Sequence, residues 1–118
     1  MRAKDAVGRY GEQVAVTHLL EAGWEVLDRN WRGHCGELDV VALEGEELVV
    51  VEVKTRTGDR YGHPAEAVTA VKLARLRRLA GQWLHEHALH PTGVRIDVIA
   101  VRTSRRGAAR VEHLRGVL

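Results

Sequence analysis

Glu47-Leu48-Val49-Val50-Val51-Glu52-Val53-Lys54-Thr55 is the stretch whose reading decides the architecture. A valine-rich run of this length, closed off by the Glu44-Gly45-Glu46 turn, reads as a strand. Side chains alternate along a strand, so Leu48, Val50, Glu52 and Lys54 share one face, while Val49, Val51, Val53 and Thr55 share the other. A strand covered by a helix layer should be apolar on the covered face. Here an acid and a base stand side by side inside a run of valines.

The segment before the turn alternates as well. Leu38, Val40 and Ala42 are expected on one face, and Glu37, Asp39, Val41 and Leu43 on the other. The short turn makes the two segments an antiparallel hairpin. In that register Asp39 and Glu52 lie on the same face, within reach of one ion. Two converging carboxylates repel each other and are costly to desolvate, and a divalent cation removes both problems. Hard cations such as Mg²⁺ take carboxylate, carbonyl and water oxygens. Lys54 would be a poor ligand for such an ion. It is placed to stabilise negative charge on an attacking water or on a phosphate.

Outward from the hairpin, a helix is expected from Asp5 to Glu21, with Asp5 as N-cap, Gly23 closing the C-terminus, and Ala15, Leu19 and Ala22 on its apolar stripe beside Val16. Glu12 falls on or beside that stripe, where a solvated charge is out of place. Trp24 to Asn30 reads as a weak strand, and Gly33 and Gly36 bracket a loop holding His34 and Cys35. After a loop marked by Gly58, Gly62 and Pro64, a second helix is expected from Ala65 to His87, with Val68, Val71, Leu76, Leu79 and Leu84 on its apolar face. His90-Pro91-Thr92-Gly93 breaks the chain, and strands follow at Val94 to Val101 and Arg110 to Leu114. The order α-β-β-β-α-β-β predicts an α/β sandwich around a central mixed sheet.

The bulk properties fit this reading. The 118 residues suit one domain, 1–118, able to bury roughly two-thirds of its unfolded surface. Hydrophobic residues are 45% and charged residues 29% of the chain; there is no Phe, so Val, Leu, Ala and three Trp must build the core. A net charge of +2 is compatible with a polyanionic partner without demanding one. The single cysteine, Cys35, excludes an intramolecular disulfide and suits a reducing cytosol. With no apolar run of membrane-spanning length and no signal-type segment after Met1, a cytoplasmic protein is expected, with no membrane partner.

Asp39 followed by Glu52-Val53-Lys54 resembles the D…(D/E)xK pattern of the PD-(D/E)xK nuclease superfamily. The surroundings are more specific. Tyr10-Gly11-Glu12, Arg29-Asn30, Gly36-Glu37-Leu38-Asp39, Val51-Glu52-Val53-Lys54-Thr55-Arg56, Tyr61-Gly62-His63-Pro64 and Arg95-Ile96-Asp97-Val98 together resemble the YraN-like family of bacterial proteins, which is related to archaeal Holliday-junction resolvases. The resemblance covers nearly the whole chain. It implies a restriction-endonuclease-like αβββαβ fold and a metal-dependent endonuclease that hydrolyses DNA phosphodiesters, with branched or damaged DNA as candidate substrate and DNA ahead of RNA. It further implies Asp39, Glu52 and the Val53 carbonyl as ligands of Mg²⁺ or Mn²⁺, Glu12 as a helix-borne acid completing the site, Lys54 as the catalytic lysine, and a homodimer bringing two sites to two strands. Leu38 stands where the superfamily often has proline.

Plainer readings stand beside these. Glu52 and Lys54 could be a salt-bridged pair guarding an edge strand. Glu12 could be a solvated helix residue. Lys72, Arg75 and Arg78 on the second helix, with Arg56 and Arg60 before it, either form a solvated face or hold phosphates. Asp97 is expected to be a hydrogen-bonded structural acid. His85, His87 and His90 lack the spacing for zinc, and Cys35 reads as an ordinary loop thiol. Against the enzyme stands a second function class: a nucleic-acid- or partner-binding module that keeps the nuclease fold without independent cleavage.

Overall fold

A computed structural model of the chain describes residues 5–58 and 68–117. Helix α1 spans Ala6–Glu21, followed by β1 (Glu25–Gly33), β2 (Gly36–Glu44) and β3 (Glu47–Thr57). Helix α2 (Ala70–His87), β4 (Gly93–Thr103) and β5 (Arg110–Leu114) complete the order. The strands form one mixed sheet in the order β1-β2-β3-β4-β5. Only β3 and β4 pair in parallel, and α2 makes the crossover between them. No helix among the described residues is long and apolar enough to cross a membrane.

The two helices lie on opposite faces of the sheet. Ala15, Val16 and Leu19 of α1 pack with Val40, Ala42, Val49, Val51, Ile99 and Val101. Leu76, Leu79, Ala80 and Trp83 of α2 pack with Leu38, Val41, Leu48, Val50 and Ile96. Each fully buried Val or Leu contributes about 1.5–3 kcal/mol relative to exposure, and β3 supplies such residues to both layers. As the central strand of the sheet, β3 cannot be an edge in need of charges, so the edge-guard reading of Glu52 and Lys54 falls.

Local chemistry explains the element ends. The Asp5 carboxylate accepts from the Gly8 amide at 2.7 Å and caps α1. Gly23 follows the helix at φ 86, a conformation that suits glycine. A side chain at Gly11 would run into Thr55, so this glycine lets α1 seat directly on β3.

Three expectations change. The His34-Cys35 segment is a two-residue hairpin turn, since Gly33 pairs with Gly36, and β1 runs three residues past Asn30. Helix α2 starts at Ala70, because Thr69 caps it by accepting from the Lys72 amide; Ala65 lies outside the described residues. That start sets the phase: Leu73, Leu76, Leu79, Ala80 and Trp83 face the sheet, and Val71 is 70% exposed. Finally, Leu38 joins the α2 layer rather than the face shared by Val40 and Ala42. The cause lies at Asp39, where β2 leaves β3.

Candidate active site

The β2–β3 ladder pairs Glu44 with Glu47 and continues to Val40 opposite Val51. One step further out, Asp39 meets Glu52, and there the backbone pairing ends. In place of a main-chain carbonyl, the Val53 amide finds the Asp39 carboxylate and donates to Oδ2 at 2.9 Å. Beyond this point β2 no longer pairs with β3, and Leu38 packs on the α2 side. The end of the sheet opens just where the two acids stand.

The opening is a cavity of about 680 Å³. Asp39, Glu52, Val53, Lys54, Glu37 and Arg56 line it from β2 and β3, Arg32 from β1, Lys72 from α2, and Asp5 and Gly8 from the start of α1. The expected group Asp39, Glu52, Val53 and Lys54 therefore meets in one cavity.

Glu52 is only 6% exposed. Lys54 Nζ lies 3.5 Å from its Oε2, and Lys72 Nζ contacts the same oxygen. Burial pushes the Glu52 carboxyl above the usual range, and the charge of Asp39 pushes it further; the two lysines oppose both. Burial and the neighbouring Lys72 ammonium lower the proton affinity of Lys54. For Lys72 burial acts downward most strongly, but the hydrogen bond and charge of Glu52, with Lys54 and Asp39, together outweigh it and the group is raised. The result is a compact cluster of two acids and two bases at a water-accessible end of a hydrophobic sheet. Ionisable groups that perturb one another in a cleft make this the candidate functional site.

The remaining candidates are placed as follows. Glu12 is buried at 2% exposure, so it is no solvated residue. It lies on the α1 layer, accepting from Asn30 Nδ2 at 2.7 Å and from Arg29 at 3.2 Å. Asn30 has φ 52, a left-handed conformation that asparagine tolerates better than most residues. It sits between Arg29 opposite Val40 and Trp31 opposite Leu38, level with Asp39. Glu12 thus ties α1 to the strained point of β1 that flanks the site. Arg56 is exposed and lines the cavity, whereas Arg75 is exposed on α2 beside Gly36, 3.5 Å from the position a Gly36 side chain would take. Arg60 lies outside the described residues. Among the described residues, no three His, Cys, Asp or Glu side chains already converge as a ligand set. His87 stacks on Trp83 with ring centroids 4.0 Å apart, a packing role.

Arg32 escaped sequence reasoning, and so did the partner of Lys72. Arg32 lines the cavity and reaches Glu37 at 4.0 Å, a pairing that follows from the tight hairpin missed at His34-Cys35. The pairing of Lys72 with Glu52 depends on where α2 starts, which turns on the Thr69 cap.

Comparison with known proteins agrees with this sequence-wide pattern. The chain is 65% identical to the UPF0102 protein of Beutenbergia cavernae, covering 99% of both chains. It is 59% identical to that of Kineococcus radiotolerans, over 99% of this chain and 97% of the relative, and 54% identical to that of Streptomyces coelicolor, over 99% and 92%. Residues 11–101, which include Glu12, Asp39, Glu52, Lys54 and Lys72, match the model of the Uncharacterised protein family UPF0102, and the chain belongs to that family.

Proposed function

We propose that the protein is a Mg²⁺- or Mn²⁺-dependent phosphodiesterase with a restriction-endonuclease-like fold, acting as an endonuclease on DNA of branched or damaged form. The observation that carries this reading is Glu52: a buried acid on a central strand, its proton affinity raised by burial and by Asp39, at the open end of a cavity lined with cations.

The donor chemistry fits a hard cation. Asp39 and Glu52 offer carboxylate oxygens to one cavity, and the Val53 peptide, tied to Asp39 through its amide, lines it with them. These three would hold the ion, and Glu12 supports them through Asn30 and Arg29. A bound divalent cation would supply an activated water and neutralise charge on the scissile phosphate. Lys54 donates to the phosphoryl oxygens from its place beside Glu52. Lys72, displaced from Glu52, becomes a second phosphate contact. Arg56 at the mouth, with Arg75 on α2 and Arg60, would position the backbone without reading sequence. A two-fold dimer in the cytoplasm would present two such sites to two strands.

One observation favours a second reading. Lys54 and Lys72 already neutralise Glu52, so the cluster closes on itself by ion pairs. In that reading the chain is a nucleic-acid- or partner-binding module without independent cleavage. Labelled single strands, duplexes, flaps, four-way junctions and matching RNAs, incubated with Mg²⁺, Mn²⁺ or EDTA, separate the two. The nuclease reading expects metal-dependent cutting of a DNA that Asp39→Ala and Lys54→Ala both abolish. Absence of cutting on every substrate, with binding equal in wild type and variants, would leave the binding module.

A further inference from the structure

On the α1 side of the sheet, away from the carboxylate–lysine cluster, a second group of side chains meets between α1 and β5. His18 Nε2 lies 3.3 Å from His113 Nδ1. The rings approach at 72° with centroids 5.4 Å apart. The other nitrogen of His113, Nε2, lies 2.7 Å from Asp97 Oδ2. Asp97 is fully buried and is held by two hydrogen bonds from Arg95 and one from the Gly116 amide. An ionised carboxylate only accepts, so His113 Nε2 carries a proton, and in the neutral ring Nδ1 presents a lone pair. His18 Nε2 is then the donor of the nitrogen–nitrogen bridge. Two imidazoles thus face each other across a single shared proton, one of them oriented by an immobilised acid.

This is the arrangement that positions histidine ligands at metal centres, where the second ring nitrogen donates to a carboxylate that fixes tautomer and direction. The spacing also fits. Two metal–nitrogen bonds of about 2.0–2.1 Å at a tetrahedral angle separate the nitrogens by about 3.3–3.4 Å. Burial, and then His113 itself, lower the proton affinity of His18, which keeps it in the neutral form that ligates. Glu21 follows His18 by three residues on α1 and lines an open groove with it, so a carboxylate oxygen is at hand on the His18 side.

We infer that His18 and His113 form a second metal site, for a borderline transition-metal dication such as Zn²⁺ or Ni²⁺, which staples edge strand β5 to α1 and is completed by water or Glu21. On binding, the cation takes the place of the shared proton, and His18 passes to its other neutral tautomer with the proton on Nδ1. No net proton is released. Imidazole nitrogen selects such ions over Mg²⁺, so this site and the carboxylate cluster take different metals.

The test uses the full chain, titrated calorimetrically with Zn²⁺, Ni²⁺ and Mg²⁺ while the imidazole resonances are followed by NMR. The inference expects one equivalent of Zn²⁺ or Ni²⁺ that shifts the His18 and His113 rings together. That equivalent is lost in His18→Gln and kept in His85→Gln and Glu52→Gln. Excess Mg²⁺ does not displace it, and Zn²⁺ raises the melting temperature of wild type but not of His18→Gln. Equal stoichiometry in wild type and His18→Gln, or shifts confined to other histidines, overturns the site. Should His18→Gln fail to fold, the paired ring shifts in wild type decide by themselves. Glu52→Gln keeps the result separate from the nuclease proposal.

Discussion

Glu52 and Asp97 are both buried acids on adjacent parallel strands, one register step apart: Val51 stands opposite Asp97, and Glu52 opposite Val98. Their surroundings drive them in opposite directions. Burial acts upward on both. At Asp97, hydrogen bonds from His113, Arg95 and the Gly116 amide overcome it and hold the carboxyl at about 2. Arg95 is itself spread over Asp97, Glu44 and Glu47, and its guanidinium lies 5.4 Å from the Trp24 ring. Among the described residues Glu52 meets no fork and no backbone donor to match; a second acid stands alongside, and its partners there are two flexible ammonium groups. Arginine offers a rigid array of donors, whereas lysine offers a mobile point charge. One acid is locked into the architecture. The other is held at a cost, in a cavity, by partners that can leave.

The largest effect should come from breaking the locked acid. Asp97→Asn takes the charged acceptor away from Arg95 and from the His113 N–H in a buried place; Arg95 keeps Glu44 and Glu47, and losing such hydrogen bonds costs about 3 kcal/mol. Chemical denaturation measures it directly. The wild-type pH profile gives the same contrast. Because the folded pKa of Asp97 lies below its unfolded value, its contribution is complete above about 3.8 and fades as pH falls toward about 2. Asp97→Asn should flatten that acid limb. A loss no greater than that of a surface substitution would break the comparison.

Glu52→Gln should do the reverse. A raised folded pKa means that Glu52 favours the folded state most below the ordinary glutamate value, and that stability falls as pH rises through its own higher value. Removing the charge should stabilise the protein by about 1 kcal/mol at neutral pH while abolishing the proposed cleavage, the trade expected where function needs a strained group. Urea melts across the neutral range, beside the cleavage assay, read both. Destabilisation as large as that of Asp97→Asn would make Glu52 a second structural acid.

How much of this was legible in the sequence follows from range. The valine run, the tight turn and the alternation about Glu52 are local, and they led to the central hairpin and to the meeting of Asp39, Glu52 and Lys54. Asp97, flanked by Ile96 and Val98, was readable as a structural acid for the same reason. The face of Leu38 was not, because alternation breaks at Asp39, where the β2–β3 ladder ends opposite a left-handed Asn30. Neither were the partners of Glu12, which rest on a left-handed Asn30 within a strand, level with Asp39. The phase of α2 hung on one cap, Thr69, and with it the approach of Lys72 to Glu52. Periodicity speaks for faces; it is silent on where a strand peels from its neighbour.

Lys72→Met gives the smallest change in stability and the sharpest view of the difference between the two acids. The Lys72 side chain is 27% exposed, so losing its ion pair should cost less than about 1 kcal/mol. The local consequences are larger. With the ammonium gone, Glu52 should hold its proton to still higher pH, and Lys54, relieved of a like charge, should become more basic. Carboxyl and amine resonances followed through a pH titration report both. If Lys72 competes with a cation for the Glu52 oxygen and afterwards serves the phosphate, then Lys72→Met should bind Mg²⁺ several-fold more tightly in calorimetry and yet cut DNA more slowly. A plain counter-ion would behave otherwise: tighter metal binding would come with unimpaired cutting, because the lysine would have nothing further to do once displaced.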